Sequence, residues 1–325
     1  LGLNPNNPLE FLRHLACPVL SFHGDQDTVV PVGNTGRLEE GPYLHAFLQE
    51  MHQQTLAGRD VVSVGESWAV TPQTAPLYCG RDRGELDMVF QFNHVSQGWD
   101  EIFGKWKPKP FDLVRFKRVL FDWQRALADD GWNSLFLSNH DLPRQVSIYG
   151  DDGRWRVRSA KMLAIVMHLM KGTPFIYQGE EIGMTNVVFE RLDQFRDLEI
   201  HGRHAEMMAQ GLAMEDFLAG ANLSGRDNAR VPMQWTDGPQ AGFTTGTPWI
   251  EVNQNHGEIN VAADRADPDG VSATYRRLAG LRRQMPVIVE GRLVPVAEDD
   301  PRVFAYMREL EGERLAVIAN FSAEA

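Results

Sequence analysis

Four short apolar runs follow one another along the chain after residue 60, and each ends in polar side chains. Their richness in β-branched and aromatic residues is typical of buried parallel strands. The runs are Val61–Val64, Asp87–Phe92, Ser134–Leu137 and Pro174–Tyr177. The polar groups after them are Gly65-Glu66-Ser67-Trp68, Asn93-His94, Asn139-His140-Asp141 and Gln178-Gly179-Glu180-Glu181.

One helical pattern precedes the first run and two lie between later runs. They cover Leu44–Met51, Phe111–Ala128 and Ala160–Met170, and the second places its apolar residues on one face. Strands that alternate with helices, with polar residues at the carboxyl ends of the strands, indicate a (β/α) barrel whose active site lies on that face. Four strands are half of such a barrel, so residues 41–285 predict strands 5–8 of a partial TIM barrel in an α/β chain.

The pattern changes after Gly183. Residues 184–265 are rich in Gly, Pro, Asn and Asp and predict a loop-rich excursion that carries short helices. A helix is expected at Ser272–Gln284. Residues 286–325 then alternate strand and turn patterns, with a turn at Glu311-Gly312, and predict the start of a C-terminal all-β domain, a β-sandwich.

Composition and charge indicate which classes of ligand and which cellular location to expect. The formal net charge is −12, which argues against nucleic acid because no basic stripe is available to bind phosphates. A neutral sugar tolerates this surface. Cys17 and Cys79 lack metal-ligand spacing and are too few for a disulfide scaffold, so a reducing cytoplasm is expected. No signal peptide is recognisable, and no apolar run reaches the ~18–20 residues of a membrane span.

Two carboxylates stand where barrel chemistry is expected. Glu66 lies at a strand mouth beside Trp68, and an apolar mouth suits a general acid because it raises a carboxyl pKa. Asp141, next to His140, follows the next strand but one. Two carboxylates on neighbouring strand ends can flank one glycosidic bond. Each motif alone also fits a rim or structural role.

The order of five segments makes the case specific. From about Gly41 to its end, the chain resembles the oligo-1,6-glucosidase and α-glucosidase group of the α-amylase superfamily, glycoside hydrolase family 13, which also includes trehalose-6-phosphate hydrolases and sucrose isomerases. The matching segments are Gly65–Trp68, Ser138–Arg144, Gly172–Asn186, Gly225–Trp235 and Gly242–Asn253. The resemblance implies a retaining hydrolase on a TIM barrel that acts on α-linked glucose in short oligosaccharides.

The resemblance also implies roles for individual residues. Glu66 matches the general acid/base, and Asp141 the carboxylate that grips the glucose 2- and 3-hydroxyls. His140 would bind the same sugar, and Arg230 would clamp the non-reducing glucose. Arg226 is kept as a substrate-binding candidate, although a structural ion pair is the preferred interpretation. Glu199 resembles an acidic residue near the leaving-group sugar, and a surface helix charge is the alternative. Neither a metal nor a cofactor is expected, because no cluster has ligand spacing.

Two departures from the family pattern matter. Leu142 stands where a Gln usually follows the Asp, which removes one hydrogen bond near the sugar. More seriously, no segment matches the strand that carries the nucleophile, and a retaining mechanism needs a second carboxylate roughly 5–5.5 Å from the acid/base. We therefore expect little activity from this chain alone, and self-association through the exposed half-barrel.

Residues 1–40 resemble a different family. Cys17–Pro31 looks like a late strand of an α/β-hydrolase esterase, with Asp27 in the place of a triad acid. No Gly-x-Ser-x-Gly elbow accompanies it, so we interpret the segment as kin to an esterase without its activity. The open alternatives to an α-glucosidase are an inactive sugar-binding fragment, a sucrose isomerase or trehalose-6-phosphate hydrolase relative, and an esterase remnant.

Overall fold

The computed structural model describes residues 41–323. The esterase-like segment with Asp27 lies outside the described residues. The described chain divides into two compact units. The first comprises the described residues up to His94 together with Arg118–Leu135 and Lys171–Thr173, and the second comprises Val95–Lys117, Phe136–Met170 and the residues from Pro174 onward.

The first unit is built on a parallel strand pair. Strand β1 pairs in parallel with β2, with Val64 opposite Met88 and Ser67 opposite Gln91. Its elements begin with helix α1 (Leu44–Met51), continued by a π-helical turn (His52–Leu56), and then follow as β1 (Val64–Ser67), α2 (Ala75–Cys79) and β2 (Met88–Gln91). The predicted run is Val61–Val64, whereas β1 begins at Val64 and continues through Glu66 to Ser67. The bounds of the strand depend on its hydrogen bonds to β2 and not on the apolar character of its residues.

One apolar cluster holds this unit together. Its buried members are Leu48, Met51, Val70, Ala75, Tyr78, Cys79, Val89, Trp123 and Leu127. Trp123 comes from helix α3 (Leu113–Ala126), whose apolar residues recur at helical spacing. Burying each large side chain of this kind contributes about 1.5–3 kcal/mol.

Two further strands are very short. Strands β3 (Ser134–Leu135) and β4 (Thr173–Pro174) form a two-stranded sheet, in which the Thr173 N–H donates to the Asn133 carbonyl at 2.8 Å. The backbones come close at Gly172, which has φ +135°, and a Cβ there would lie 2.4 Å from the Asn133 oxygen. Only glycine fits this crossing.

Most of the described helices lie in the second unit. Its helices are α4 (Gln145–Tyr149), α5 (Arg156–His168), α6 (Leu198–Ala209), α7 (Met214–Ser224), α8 (Asp227–Arg230), α9 (Val261–Ala266), α10 (Val271–Gln284) and α11 (Pro286–Val289). Short 3-10 turns occur at Ser96–Gly98, Glu180–Ile182, Leu192–Gln194, Pro239–Gly242 and Gln254–Gly257.

The excursion has a core of its own. Phe195, Ile200, Phe217 and Val231 are buried in one cluster with Trp106. Helix α7 approaches the Trp106 backbone so closely that a Cβ on Gly220 would lie 1.9 Å from the Trp106 carbonyl oxygen. The excursion predicted to be loop-rich with short helices carries helices α6 to α9 and this buried apolar cluster.

A three-stranded antiparallel sheet ends the described chain, as predicted. Its order is β5–β6–β7, formed by Arg292–Val296, Val303–Leu310 and Glu313–Asn320. The β6–β7 turn has positive φ at both Glu311 (46°) and Gly312 (91°), which suits the twist of a tight hairpin. No helix within residues 41–323 has the length and apolar character needed to cross a membrane.

Candidate functional site

Asp141 and His140 lie in the loop that follows β3. The loop is fixed locally, because the Asp141 N–H donates to Asn139 Oδ1 at 2.8 Å. The Asp141 side chain is 26% exposed and the His140 side chain 54% exposed, with 3.5 Å between His140 Nε2 and Asp141 Oδ2. The carboxylate and the imidazole are therefore both open to a ligand.

Arg230 binds this loop directly. Its Nη2 donates to Asp141 Oδ1 at 2.6 Å, and its Nε donates to the His140 carbonyl at 3.1 Å. Arg230 is the last residue of α8. Three residues from two distant motifs thus form one cluster, with the Asp141 charge balanced by a guanidinium.

Arg226 is anchored by a residue that the sequence analysis did not single out, Asp197. Arg226 Nε donates to Asp197 Oδ2 at 2.8 Å and Nη2 to Oδ1 at 2.5 Å. Burial raises the pKa of Asp197, but the hydrogen bonds and charge of Arg226 outweigh it and hold that pKa below its usual value. The same hydrogen bonds raise the pKa of Arg226. Arg226 Nη1 also lies 3.7 Å from Asp141 Oδ1, so the anchored guanidinium faces the candidate carboxylate.

Asp197 is held by hydrogen bonds of both its side chain and its backbone. It caps helix α6 by accepting from the Glu199 N–H at 3.0 Å. The Asp227 carboxylate accepts from the N–H groups of Arg196 at 2.6 Å and Asp197 at 3.0 Å. Burial raises the pKa of Asp227. An Asp directly before an apolar helix is a capping signal, and it could have drawn attention to Asp197.

Glu199 is paired with a second residue that the sequence analysis missed. Lys105 Nζ donates to Glu199 Oε2 at 2.6 Å, and the two side chains are only 12% and 13% exposed. Arg226 Nε lies 3.3 Å from the same oxygen. Glu199 is therefore an ion-paired residue of the cluster and not an isolated surface charge. Lys105 stands 94 positions away, and no local pattern links it to Glu199.

Glu66 lies within strand β1 of the first unit. It stands opposite Phe90 of β2 and is partly buried. Next to it, Trp68 stacks on Phe92 with ring centroids 4.1 Å apart and an interplanar angle of 11°. Glu66 therefore has a rigid backbone and an aromatic neighbour in the chain.

Leu142, the departure from the family pattern, is buried at 4% exposure. Its side chain belongs to the interior rather than to the open face that Asp141 and His140 present. Among residues 41–323, no group of three or more His, Cys, Asp or Glu side chains could hold a metal ion.

The cluster suits recognition of hydroxyl groups. Asp141 supplies acceptor oxygens, while Arg230 and Arg226 supply fixed donors, and the neighbouring imidazole can donate or accept. Hydrogen bonds to ionised groups are stronger than those between neutral groups. An arrangement of this kind can hold a pair of adjacent sugar hydroxyls in one orientation.

Residues 23–291 match the catalytic domain of the α-amylase family. The chain belongs to the α-amylase family. The match begins at residue 23, before the boundary expected at residue 41. The chain is 48% identical over 291 residues to the palatinase of Erwinia rhapontici, and the aligned region covers 89% of this chain and 53% of the palatinase. It is 49% identical over 292 residues to an oligo-1,6-glucosidase of Halalkalibacterium halodurans, covering 89% and 52%.

The chain is also similar in fold to a solved structure. The trehalulose synthase MutB from Pseudomonas mesoacidophila superposes with a TM-score of 0.84 at 40% identity, covering 88% of this chain and 51% of that protein. The chain thus spans about half the length of the relatives it matches.

Proposed function

We propose that this chain forms part of the active site of a retaining α-glucosidase that acts on α-linked glucose in short oligosaccharides. The observation that carries the proposal is the cluster of Asp141, His140 and Arg230, in which a partly exposed carboxylate is held 2.6 Å from a guanidinium. The family match and the oligo-1,6-glucosidase relatives support it.

In this proposal, strands β1 to β4 are the second half of a (β/α)8 barrel, as the α-amylase family fold implies. Asp141 grips the glucose 2- and 3-hydroxyls, and the grip tightens in the transition state. Glu66 protonates the leaving glycosidic oxygen and then deprotonates the attacking water. The covalent step needs a nucleophilic carboxylate, which none of the 325 residues matches by motif. We therefore propose negligible turnover by these residues alone.

The charges of the cluster favour a neutral sugar. Lys105 faces Glu199, Arg226 faces Asp197 and Arg230 faces Asp141, each at 2.5–2.6 Å. Within the described part of the cluster, all three cations are thus engaged by carboxylates. A phosphorylated sugar would have to displace one of these ion pairs, which supports isomaltose-type substrates over trehalose 6-phosphate.

Binding is the direct test. We expect the chain to bind 1-deoxynojirimycin, a glucose-shaped cation, by isothermal titration calorimetry. Asp141→Asn should weaken binding at least about tenfold, since losing a hydrogen bond to a charged group costs about 1.5–3 kcal/mol. Asp122→Asn is the matched control, because Asp122 also pairs with an arginine, Arg125, at 3.0 Å but does so within helix α3 and is not a member of the cluster. Equal affinities in the wild type and Asp141→Asn would contradict the proposal.

Turnover separates the alternatives. Nitrophenyl α-glucoside, isomaltose, sucrose and trehalose 6-phosphate should all be turned over negligibly, with slight rescue of the nitrophenyl substrate by formate or azide. Robust hydrolysis that Glu66→Gln abolishes would show that an unrecognised carboxylate serves as nucleophile. Hydrolysis of nitrophenyl acetate would favour the esterase remnant. Failure to bind any sugar would reject both the α-glucosidase hypothesis and the sugar-binding fragment hypothesis.

A further inference from the structure

Arg144 is a buried arginine whose side-chain hydrogen bonds, among the described residues, go to backbone carbonyls. It lies three residues after Asp141 and is 1% exposed. Its guanidinium donates to three backbone carbonyls: Nε to Asn228 at 2.9 Å, Nη1 to Gln178 at 2.5 Å and Nη2 to Ala229 at 3.2 Å. Burial lowers the pKa of Arg144 to about 10. A buried charge is costly unless it is well hydrogen-bonded, so this geometry has to be maintained.

Two of these carbonyls directly precede Arg230. Asn228 and Ala229 belong to α8, which has only four residues. A single helical turn is not stable by itself and leaves its last carbonyls without helical partners. Arg144 supplies those partners, and a cation near the C-terminal end of a helix is also electrostatically favoured.

The surrounding residues preserve this arrangement. The Tyr177 hydroxyl donates to the same Ala229 carbonyl at 3.0 Å, and its ring lies 5.5 Å from the guanidinium. The Arg144 N–H donates to Asn186 Oδ1 at 2.8 Å. Gly179 has φ +92°, and a Cβ there would lie 2.9 Å from Arg144 Nη1. Room is therefore left for the guanidinium where the chain turns after Gln178.

We propose that Arg144 is a positioning residue that sets Arg230 against Asp141 and His140. Arg144 is fixed to the Asp141 loop by its backbone and to the α8 turn by its side chain. The planar guanidinium holds adjacent carbonyls in a defined geometry, which a lysine ammonium on a flexible stem cannot do. The role of the positioned pair as a sugar clamp rests on the proposed function, whereas the positioning itself does not.

The test uses the full chain and a spectroscopic signal from Arg230. Its Nε–H donates to the His140 carbonyl, so its side-chain ¹H–¹⁵N resonance, assigned with Arg230→Lys, reports whether the arginine is in place. Arg144→Lys should shift or broaden this resonance and weaken 1-deoxynojirimycin binding at least about tenfold, which is the change in affinity expected when one hydrogen bond to a charged group is lost.

Arg308→Lys is the matched control. Arg308 is also buried, and its guanidinium donates to the carbonyls of Leu169, Ile288 and Gly291. Its burial likewise lowers its pKa to about 10. We expect Arg308→Lys to lower thermal stability while leaving the Arg230 resonance and the sugar affinity unchanged.

Tyr177→Phe keeps the proposal testable if Arg144→Lys does not fold. It removes one of the two donors to the Ala229 carbonyl and should shift the Arg230 resonance in the same direction by a smaller amount. An unchanged resonance in folded Arg144→Lys, or in Tyr177→Phe where Arg144→Lys does not fold, would overturn the proposal. A shifted resonance in a chain that binds no sugar would support the positioning role and reject the proposed function.

Discussion

Replacing Glu180 with glutamine should remove a pH dependence of stability that the buried carboxyl creates. Glu180 follows β4 and is 5% exposed. Burial raises its pKa from 4.5 to about 8, and Ser138 and Arg144 offset only part of that effect. Besides Arg144, Glu181 and Tyr275 are the ionisable side chains that interact with it.

The sign of the effect follows from proton binding. Between pH 4.5 and about 8 the unfolded chain has lost a proton that the native Glu180 keeps. The free energy of unfolding therefore falls as pH rises, by about 1.4 kcal/mol per pH unit. The contribution is fully present below pH 4.5 and is lost by about pH 8, a total of several kcal/mol.

His168 acts with the opposite sign in part of this window. Burial lowers its pKa from 6.5 to about 4, so the free energy of unfolding rises with pH between those values. Considering these two groups together, the wild type should be nearly flat from pH 4.5 to 6.5 and lose stability from 6.5 to 8. Glu180→Gln should instead gain stability up to pH 6.5 and stay flat above it.

Urea unfolding followed by tryptophan fluorescence at half-unit pH steps measures both curves. The difference between the wild type and Glu180→Gln isolates the carboxyl from all other titrations. His168→Gln should show the uninterrupted fall from pH 4.5 to 8. Parallel wild-type and Glu180→Gln curves would mean that Glu180 ionises as readily in the native state as in the unfolded chain, and would refute the reasoning.

Three further substitutions probe the second unit. Asp197→Asn should cost about 1.5–3 kcal/mol, because Arg226 loses its hydrogen bonds to an ionised carboxylate while Glu199 and Asp141 still lie near its charge. Denaturant unfolding measures the loss, and a value below about 0.5 kcal/mol would argue against a stabilising pair. Gly220→Ala should lower the melting temperature by several degrees, because a Cβ would lie 1.9 Å from the Trp106 oxygen. Gly202→Ala should instead stabilise the protein by about 0.5–1 kcal/mol, because Gly202 lies in α6 and no atom lies within 4 Å of the new Cβ. Calorimetry measures both variants, and equal melting temperatures would contradict the packing argument.

Periodicity found the helices better than it found the strands. The helix predicted at Phe111–Ala128 spans Leu113–Ala126, and that predicted at Ser272–Gln284 spans Val271–Gln284. The run Ser134–Leu137 is buried throughout, yet only Ser134–Leu135 forms a strand. Burial shapes the sequence pattern, whereas strand bounds depend on a hydrogen-bonding partner elsewhere in the chain.

Residues of the candidate site could be predicted only where they lie in a segment that matches the family pattern. Asp141, His140 and Arg230 come together in the structure, whereas their roles as sugar ligands stay predictions. Lys105 and Asp197 escaped notice, because an ion pair between distant segments has no local signature. Arg144 lies within the matching segment Ser138–Arg144, but the positioning role proposed for it depends on which carbonyls lie around it, and that is a property of three-dimensional structure alone.

The sequence separations within the charge cluster have a consequence for how the protein folds. Lys105 and Glu199 are 94 residues apart, Asp141 and Arg230 are 89 apart, and Asp197 and Arg226 are 29 apart. Each of these contacts closes a long loop, whose entropy is lost before the contact can stabilise anything. The β6–β7 hairpin, with Leu310 opposite Glu313, closes only a tight turn. The hairpin can therefore form early, whereas the charge cluster becomes complete only after the excursion between Gly183 and residue 265 has packed.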